Sequence, residues 1–135
     1  KLIAIADVLV MRPDVILLDE PAAALDPYHA GLVDGIIDGL CEKGMTVIIS
    51  THDVNRALLW ADSVALLDAG RVLARGEPHE IFGDPHLLRQ ANLAKPPVLA
   101  LFEALRELGI LPPLPIPRSD AELAAYLREY GQKPL

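Results

Sequence analysis

The chain has 135 residues, of which 52% are hydrophobic and 23% charged, and its formal net charge is −7 at pH 7. Apolar content this high can offset chain entropy in one modest domain and excludes disorder throughout. The acidic balance argues against a general nucleic-acid binder, which needs a basic surface to neutralise phosphates. Aromatics make up only 4% of residues, so the core must come mainly from Leu, Ile, Val and Ala. Cys41 is the single cysteine, which rules out a disulfide framework or a four-cysteine metal site within one chain. No run approaches the ~20 apolar residues that cross a bilayer as a helix.

The chain opens at Lys1, without Met, and runs directly into Leu2, Ile5, Ala6 and Leu9 at helical spacing, until Arg12-Pro13 ends the run. Such a start predicts a cut made inside a domain. Residues 15–18 form a short unbroken apolar run, the pattern of a strand buried on both faces of a parallel sheet. Asp26-Pro27 predicts a helix start, with Asp26 as N-cap and Pro27 in the first turn. Val33, Ile36, Ile37 and Leu40 mark its apolar face, and Gly44 supplies the stop. Residues 46–49 read as a second buried strand, followed by a short helix over 53–61. Residues 63–67 and 72–74, around the turn Asp68-Ala69-Gly70-Arg71, read as a hairpin. Buried strands alternating with helices give an α/β fold with a mostly parallel sheet, to which the hairpin is expected to add an antiparallel strand.

Beyond Gly76 the character changes. Asp84-Pro85 opens a helix expected to run to Ala94, and Leu99, Phe102, Leu105 and Leu108 mark another that Gly109 ends. Pro112, Pro113, Pro115 and Pro117 predict a stiff extended linker. Ser119 and Glu122 make a capping box for a last helix carrying Leu123, Leu127 and Tyr130. The expected domains are a core over 1–83 and a small helical appendage over 84–135.

The residues with chemical potential lie at strand ends. Asp19 and Glu20 follow the first buried strand, at the edge of the sheet where open α/β folds bind ligands. One such carboxylate can hold Mg²⁺ through water while the other polarises an attacking water; a helix cap or a plain surface pair is the alternative. Ser50-Thr51-His52-Asp53 follows the next strand. A strand-helix-strand crossover puts both C-terminal ends on one side, so His52 is expected beside Asp19 and Glu20, able to touch a terminal phosphate. A capping or surface histidine is the alternative. Cys41 reads as a small filler, His29, His79 and His86 as solvated, and Trp60 as packing.

Leu17-Leu18-Asp19-Glu20-Pro21, Ala24-Leu25-Asp26-Pro27 and Ser50-Thr51-His52-Asp53 together resemble the Walker B, D-loop and H-loop of ABC ATPases. The resemblance implies part of a P-loop NTPase fold, with ATP and Mg²⁺ as cofactors. Asp19 would support the Mg²⁺ of MgATP, Glu20 would be the general base or water-positioner, and His52 the γ-phosphate switch. Asp26 would link two ATP sites across a head-to-tail dimer. The first helix resembles the one that follows the signature sequence. The Walker A lysine, the Q-loop and the signature are absent, so this chain alone is expected to lack ATPase activity. Ala22-Ala23-Ala24 stands where the family often has Thr, Ser or Gly, which puts hydroxyl contacts at the D-loop entry in doubt.

The tail narrows the resemblance. Gly76-Glu77-Pro78-His79-Glu80-Ile81-Phe82 is similar to the end of many importer ATPases, and 88–93 with the following helix and Leu108-Gly109 is similar to the extension of energy-coupling-factor and cobalt-importer ATPases. This implies an ATP-hydrolysing subunit on the cytoplasmic face of the membrane, driving cobalt or nickel uptake. Its partners would be an integral membrane subunit and a second ATPase subunit, homo- or heterodimeric, with no nucleic acid. On this reading a partner subunit covers the apolar stripes of the last two helices, with docking on the chain's own core as the alternative. ABC ATPases of other importers or of DNA repair, and a non-catalytic dimerisation or regulatory fragment, are the alternatives.

Overall fold

The computed structural model of the chain describes residues 2–131. In chain order its elements are α1 (Leu2–Leu9), β1 (Val15–Asp19), α2 (Pro27–Glu42), β2 (Thr46–Ser50), α3 (Val54–Trp60), β3 (Val64–Asp68), β4 (Arg71–Gly76), α4 (Pro78–Gly83), α5 (Pro85–Gln90), α6 (Pro97–Glu107) and α7 (Asp120–Tyr130). They divide into two compact units, residues 1–52 and 53–135.

In the first unit, β1 and β2 pair in parallel with Val15 opposite Thr46 and Asp19 opposite Ser50. Parallel strands need a crossover, and α2 provides it. The Asp26 carboxylate accepts from the amides of Tyr28 (3.0 Å) and His29 (3.1 Å), satisfying donors that the helix itself leaves unpaired. Ala30, Val33, Ile37 and Leu40 form the buried stripe, each large member contributing ~1.5–3 kcal/mol. Gly44, at φ 81°, ends the helix: its amide donates to the Cys41 carbonyl and the Met45 amide to the Leu40 carbonyl, the bond pair of a left-handed C-cap. The strands are not buried on both faces as expected. Ile16 is 3% exposed but Leu17 is 73% and Ile48 52% exposed. Successive strand residues point to opposite faces, and among the described residues of this unit the Ile16 face of β1 is covered while the Leu17 face is open.

In the second unit β3 and β4 form an antiparallel hairpin with an irregularity between Leu66 and Leu67. Ala69 and Gly70 both have positive φ (45° and 73°), the tight turn that matches strand twist, at a cost of roughly 1–2 kcal/mol for the alanine. Among the described residues the hairpin is a sheet of its own and does not add a strand to β1–β2. Helix α4 was not anticipated: it is six residues long, too short for periodicity to reveal. The helix expected to reach Ala94 stops at Gln90. Asn92 turns left-handed (φ 54°), with its amide on the Arg89 carbonyl and the Leu93 amide on that of Leu88. Half of the capping box of α7 is present: the Glu122 amide donates to Ser119 Oγ at 3.2 Å, but the Glu122 carboxylate accepts from the Arg118 amide, one residue before the cap, at 2.8 Å.

One apolar cluster holds this unit together. Leu58, Leu66, Ile81, Phe82 and Leu88 join Val98, Leu99, Phe102, Leu111 and Leu123, with Leu105, Leu127 and Tyr130 packed against them. Residue 84 therefore falls inside a packed unit. Of the stripes of α6 and α7, Leu99, Phe102 and Leu123 are buried in the chain's own core and Leu105, Leu127 and Tyr130 are partly buried against it, so a partner is not needed to cover them, while Leu108 stays 71% exposed. The proline-rich connection is pinned as well, since Pro117 is fully buried and the Arg118 guanidinium donates to the Ala61 carbonyl at 3.0 Å.

Phe102→Ala should lower stability by about 3–5 kcal/mol in urea titrations, whereas Leu108→Ala should stay within about 0.5 kcal/mol. Equal effects would contradict this assignment of core and surface. The amides of His86 (2.7 Å) and Leu87 (3.3 Å) cap onto the Asp84 carboxylate and hold its pKa below the ordinary value. A carboxyl lowered on folding contributes fully above its unfolded value, and that contribution is lost as pH falls through the folded one. Asp84→Asn, which keeps a capping oxygen but does not titrate, should therefore lose stability less steeply than the parent as pH falls through and below the ordinary carboxylate range.

Candidate functional site

The C-terminal ends of β1 and β2 carry the site. Because Asp19 lies opposite Ser50, the Ser50 hydroxyl donates to Asp19 Oδ1. The Glu20 amide donates to the Ser50 carbonyl at 2.9 Å, one rung past the end of the ladder. At Glu20 the backbone turns left-handed, with φ 45°, a conformation uncommon for residues other than glycine. Its carboxylate then meets the segment after β2. Thr51 Oγ1 donates to Oε2 at 3.0 Å and the His52 amide to Oε1 at 2.9 Å, while His52 Nδ1 also shares a hydrogen bond with Oε1.

Burial raises the Glu20 carboxyl, but the hydrogen bonds from the His52 ring, the His52 amide and the Thr51 hydroxyl outweigh it and hold the group below its ordinary value. A carboxylate so held is a full charge and a weak base, better suited to orienting a donor than to removing its proton. The His52 side chain is 81% exposed and that of Glu20 31%: the imidazole is open to a ligand, while the carboxylate is partly sheltered.

The structure thus brings Asp19, Glu20 and His52 together at one edge, as the sequence predicts. It places Asp26 apart from them, at the start of α2. The amide and ring of His29, then the Tyr28 amide, lower the Asp26 carboxyl against a smaller opposing effect of burial. Ala24, two residues before it, is also left-handed (φ 59°). Beside the site a mostly apolar hollow is lined by Ile5, Val8, Ile16, Leu17, Leu18, Pro21 and Asp19; neither Glu20 nor His52 lines it. The other histidines have local partners, His79 with Glu77 and His86 with Arg89. Arg56 lies over the Trp60 ring at 5.8 Å. Ser50 and Thr51 belong to the quoted motif but had no role in the sequence reading. The signal for Ser50 lies in the register, since the two apolar runs of equal length, paired end to end, leave Asp19 opposite Ser50.

Among the described residues no three His, Cys, Asp or Glu side chains converge on a metal. Asp19 offers one hard oxygen at the edge. Mg²⁺ fits that provision when it keeps its waters and takes its other ligands from phosphates, and does not fit an all-protein cage.

No protein-family model matches the chain. It is 44% identical over 123 residues to an energy-coupling factor transporter ATP-binding protein, EcfA2, of Methanospirillum hungatei, covering 91% of this chain and 31% of that protein. It is 45% identical over 112 residues to the EcfA protein of Methanocaldococcus jannaschii, covering 83% and 40%. Among solved structures it resembles cbiO1 of Clostridium perfringens, part of the ABC transporter complex cbiONQ, with a TM-score of 0.55, 39% identity, and coverage of 78% of this chain and 41% of that one. The chain spans less than half the length of these relatives. With this identity and this α/β fold, the chain belongs to the family of ABC transporter ATP-binding proteins.

Proposed function

We propose that this sequence serves a longer protein that binds and hydrolyses ATP to drive a membrane importer of the energy-coupling-factor type. The observation that carries the reading is the joining of Glu20 and His52 at the C-terminal edge of two parallel strands, with Asp19 beside them. The resemblance of the tail favours cobalt or nickel as cargo. Residues 1–83 would be the C-terminal part of the ATP-binding domain and 84–135 its helical extension, a functional division distinct from the packing division after His52. The protein would sit peripherally on the cytoplasmic face of the membrane, bound to an integral membrane subunit and paired with a second ATPase subunit. Among the described residues no helix is long and apolar enough to cross a membrane.

The reaction is in-line attack of water on the γ-phosphate, where catalysis rests on positioning and charge stabilisation. Glu20 orients the water with its ionised carboxylate. His52, exposed on the same edge, swings its imidazole to the γ-phosphate. Asp19 would hold Mg²⁺ through water, and that ion would offset the charge of the phosphates. Asp26, while capping α2, would face the second nucleotide site of a dimer.

In the full-length protein Glu20→Gln should keep ATP binding and lower turnover by roughly 10²–10⁴-fold, and His52→Ala should also lower turnover strongly. Steady-state hydrolysis alongside nucleotide binding tests both; wild-type turnover in Glu20→Gln would falsify the role given to Glu20. The chain by itself should show no micromolar affinity for MgATP by calorimetry, because Asp19 and Glu20 repel a polyphosphate unless an amide-lined loop and Mg²⁺ compensate.

A further inference from the structure

We propose that Thr51 is a positioning residue for Glu20: its hydroxyl fixes the plane of the carboxylate and keeps it fixed when His52 turns to a ligand. The inference rests on the reading of Glu20 as the group that orients the attacking water.

The two oxygens of Glu20 are held by different residues. Thr51 Oγ1 is 3.0 Å from Oε2, while both the amide and the ring of His52 act on Oε1. The terminal torsion of a glutamate is broad, so a carboxylate held at one oxygen can swing about that contact. Held at both, its plane is set.

The two holders differ in permanence. The His52 side chain is 81% exposed, and in the proposed reaction its ring leaves Oε1 for a phosphate. Thr51 is partly buried and directly follows β2, and its β-branched side chain is stiff about the first torsion. The backbone supports the same geometry. The Glu20 amide is tied to the Ser50 carbonyl and the residue is left-handed at φ 45°, which aims the side chain at the segment after β2. Thr51 therefore holds the carboxylate through the part of the cycle in which the His52 ring is engaged elsewhere.

The test compares Thr51→Val, which keeps the shape and removes the hydroxyl, with Thr51→Ser, which keeps the hydroxyl, both in the full-length protein; Thr51→Ala serves as a second hydroxyl-free variant should the valine impair folding. The hydroxyl-free variants should lower kcat roughly tenfold with KM for ATP changed by less than about twofold, and Thr51→Ser should restore most of kcat. In crystal structures the Glu20 carboxylate should rotate away from its present plane without the hydroxyl and keep that plane in Thr51→Ser. An unchanged carboxylate in the hydroxyl-free variants, or equal loss of kcat in the serine and valine variants, would overturn the proposal. Glu20→Gln measured in parallel separates the two readings. If it turns over normally, the catalytic role of Glu20 is lost, and the orientation seen in the crystals still decides the role of Thr51.

Discussion

Asp19 stands opposite Ser50 in the parallel ladder of β1 and β2, and the positions of Glu20, Thr51 and His52 follow from that pairing. The ladder brings the two strand ends level, the Glu20 amide adds a last rung to the Ser50 carbonyl, and the next residues of each strand are then in hydrogen-bonding reach. A slip of one residue would move every side chain of β2 to the opposite face, taking the Ser50 hydroxyl from Asp19 and the Thr51 hydroxyl from Glu20. The register is in turn held by the stripe of α2, whose Val33 and Ile37 are almost wholly buried, and by the Asp26 cap that starts the helix.

Much of this was legible in the sequence because it follows from connectivity. Two short apolar runs joined by a capped helix must lie parallel, so Asp19, Glu20 and His52 had to share an edge. Asp26-Pro27 announced its helix through chemistry that needs no tertiary context. Thr51 could not be assigned in the same way. Its bond to Oε2 depends on the left-handed turn at Glu20, and a glutamate gives no local signal of positive φ as a glycine would. The exposure of Leu17 on β1 is hidden for a related reason: an unbroken apolar run shows that both faces can be covered, not that they are.

The second unit marks the same boundary between local and tertiary information. The capping box at Ser119 and the left-handed stop at Gly109 were visible as residue types in the right places. The stop at Asn92 is harder to see, because asparagine takes positive φ less regularly than glycine. The stripe Leu99, Phe102 and Leu105 was correctly read as apolar, but periodicity says that a face needs cover without naming the cover. Here Leu58 of α3, Leu66 of the hairpin and Phe82 of α4 provide it. Only when those elements are assembled does the helical tail become part of one core with the hairpin.

The left-handed backbone at Glu20 sets stability against activity at a single position. Glycine or asparagine would occupy φ 45° with less strain than a glutamate does, so the folded chain holds a residue there that its backbone does not favour. Local strain of this kind persists where surrounding bonds over-determine the conformation, here those to Ser50, Thr51 and His52. A library of this chain selected for thermal tolerance alone would drift at position 20 toward small or amide residues and discard the carboxylate. Consensus or stability-guided redesign of the sequence should therefore hold position 20 fixed and look for its gains elsewhere, for example at the equally left-handed Ala69 of the hairpin turn.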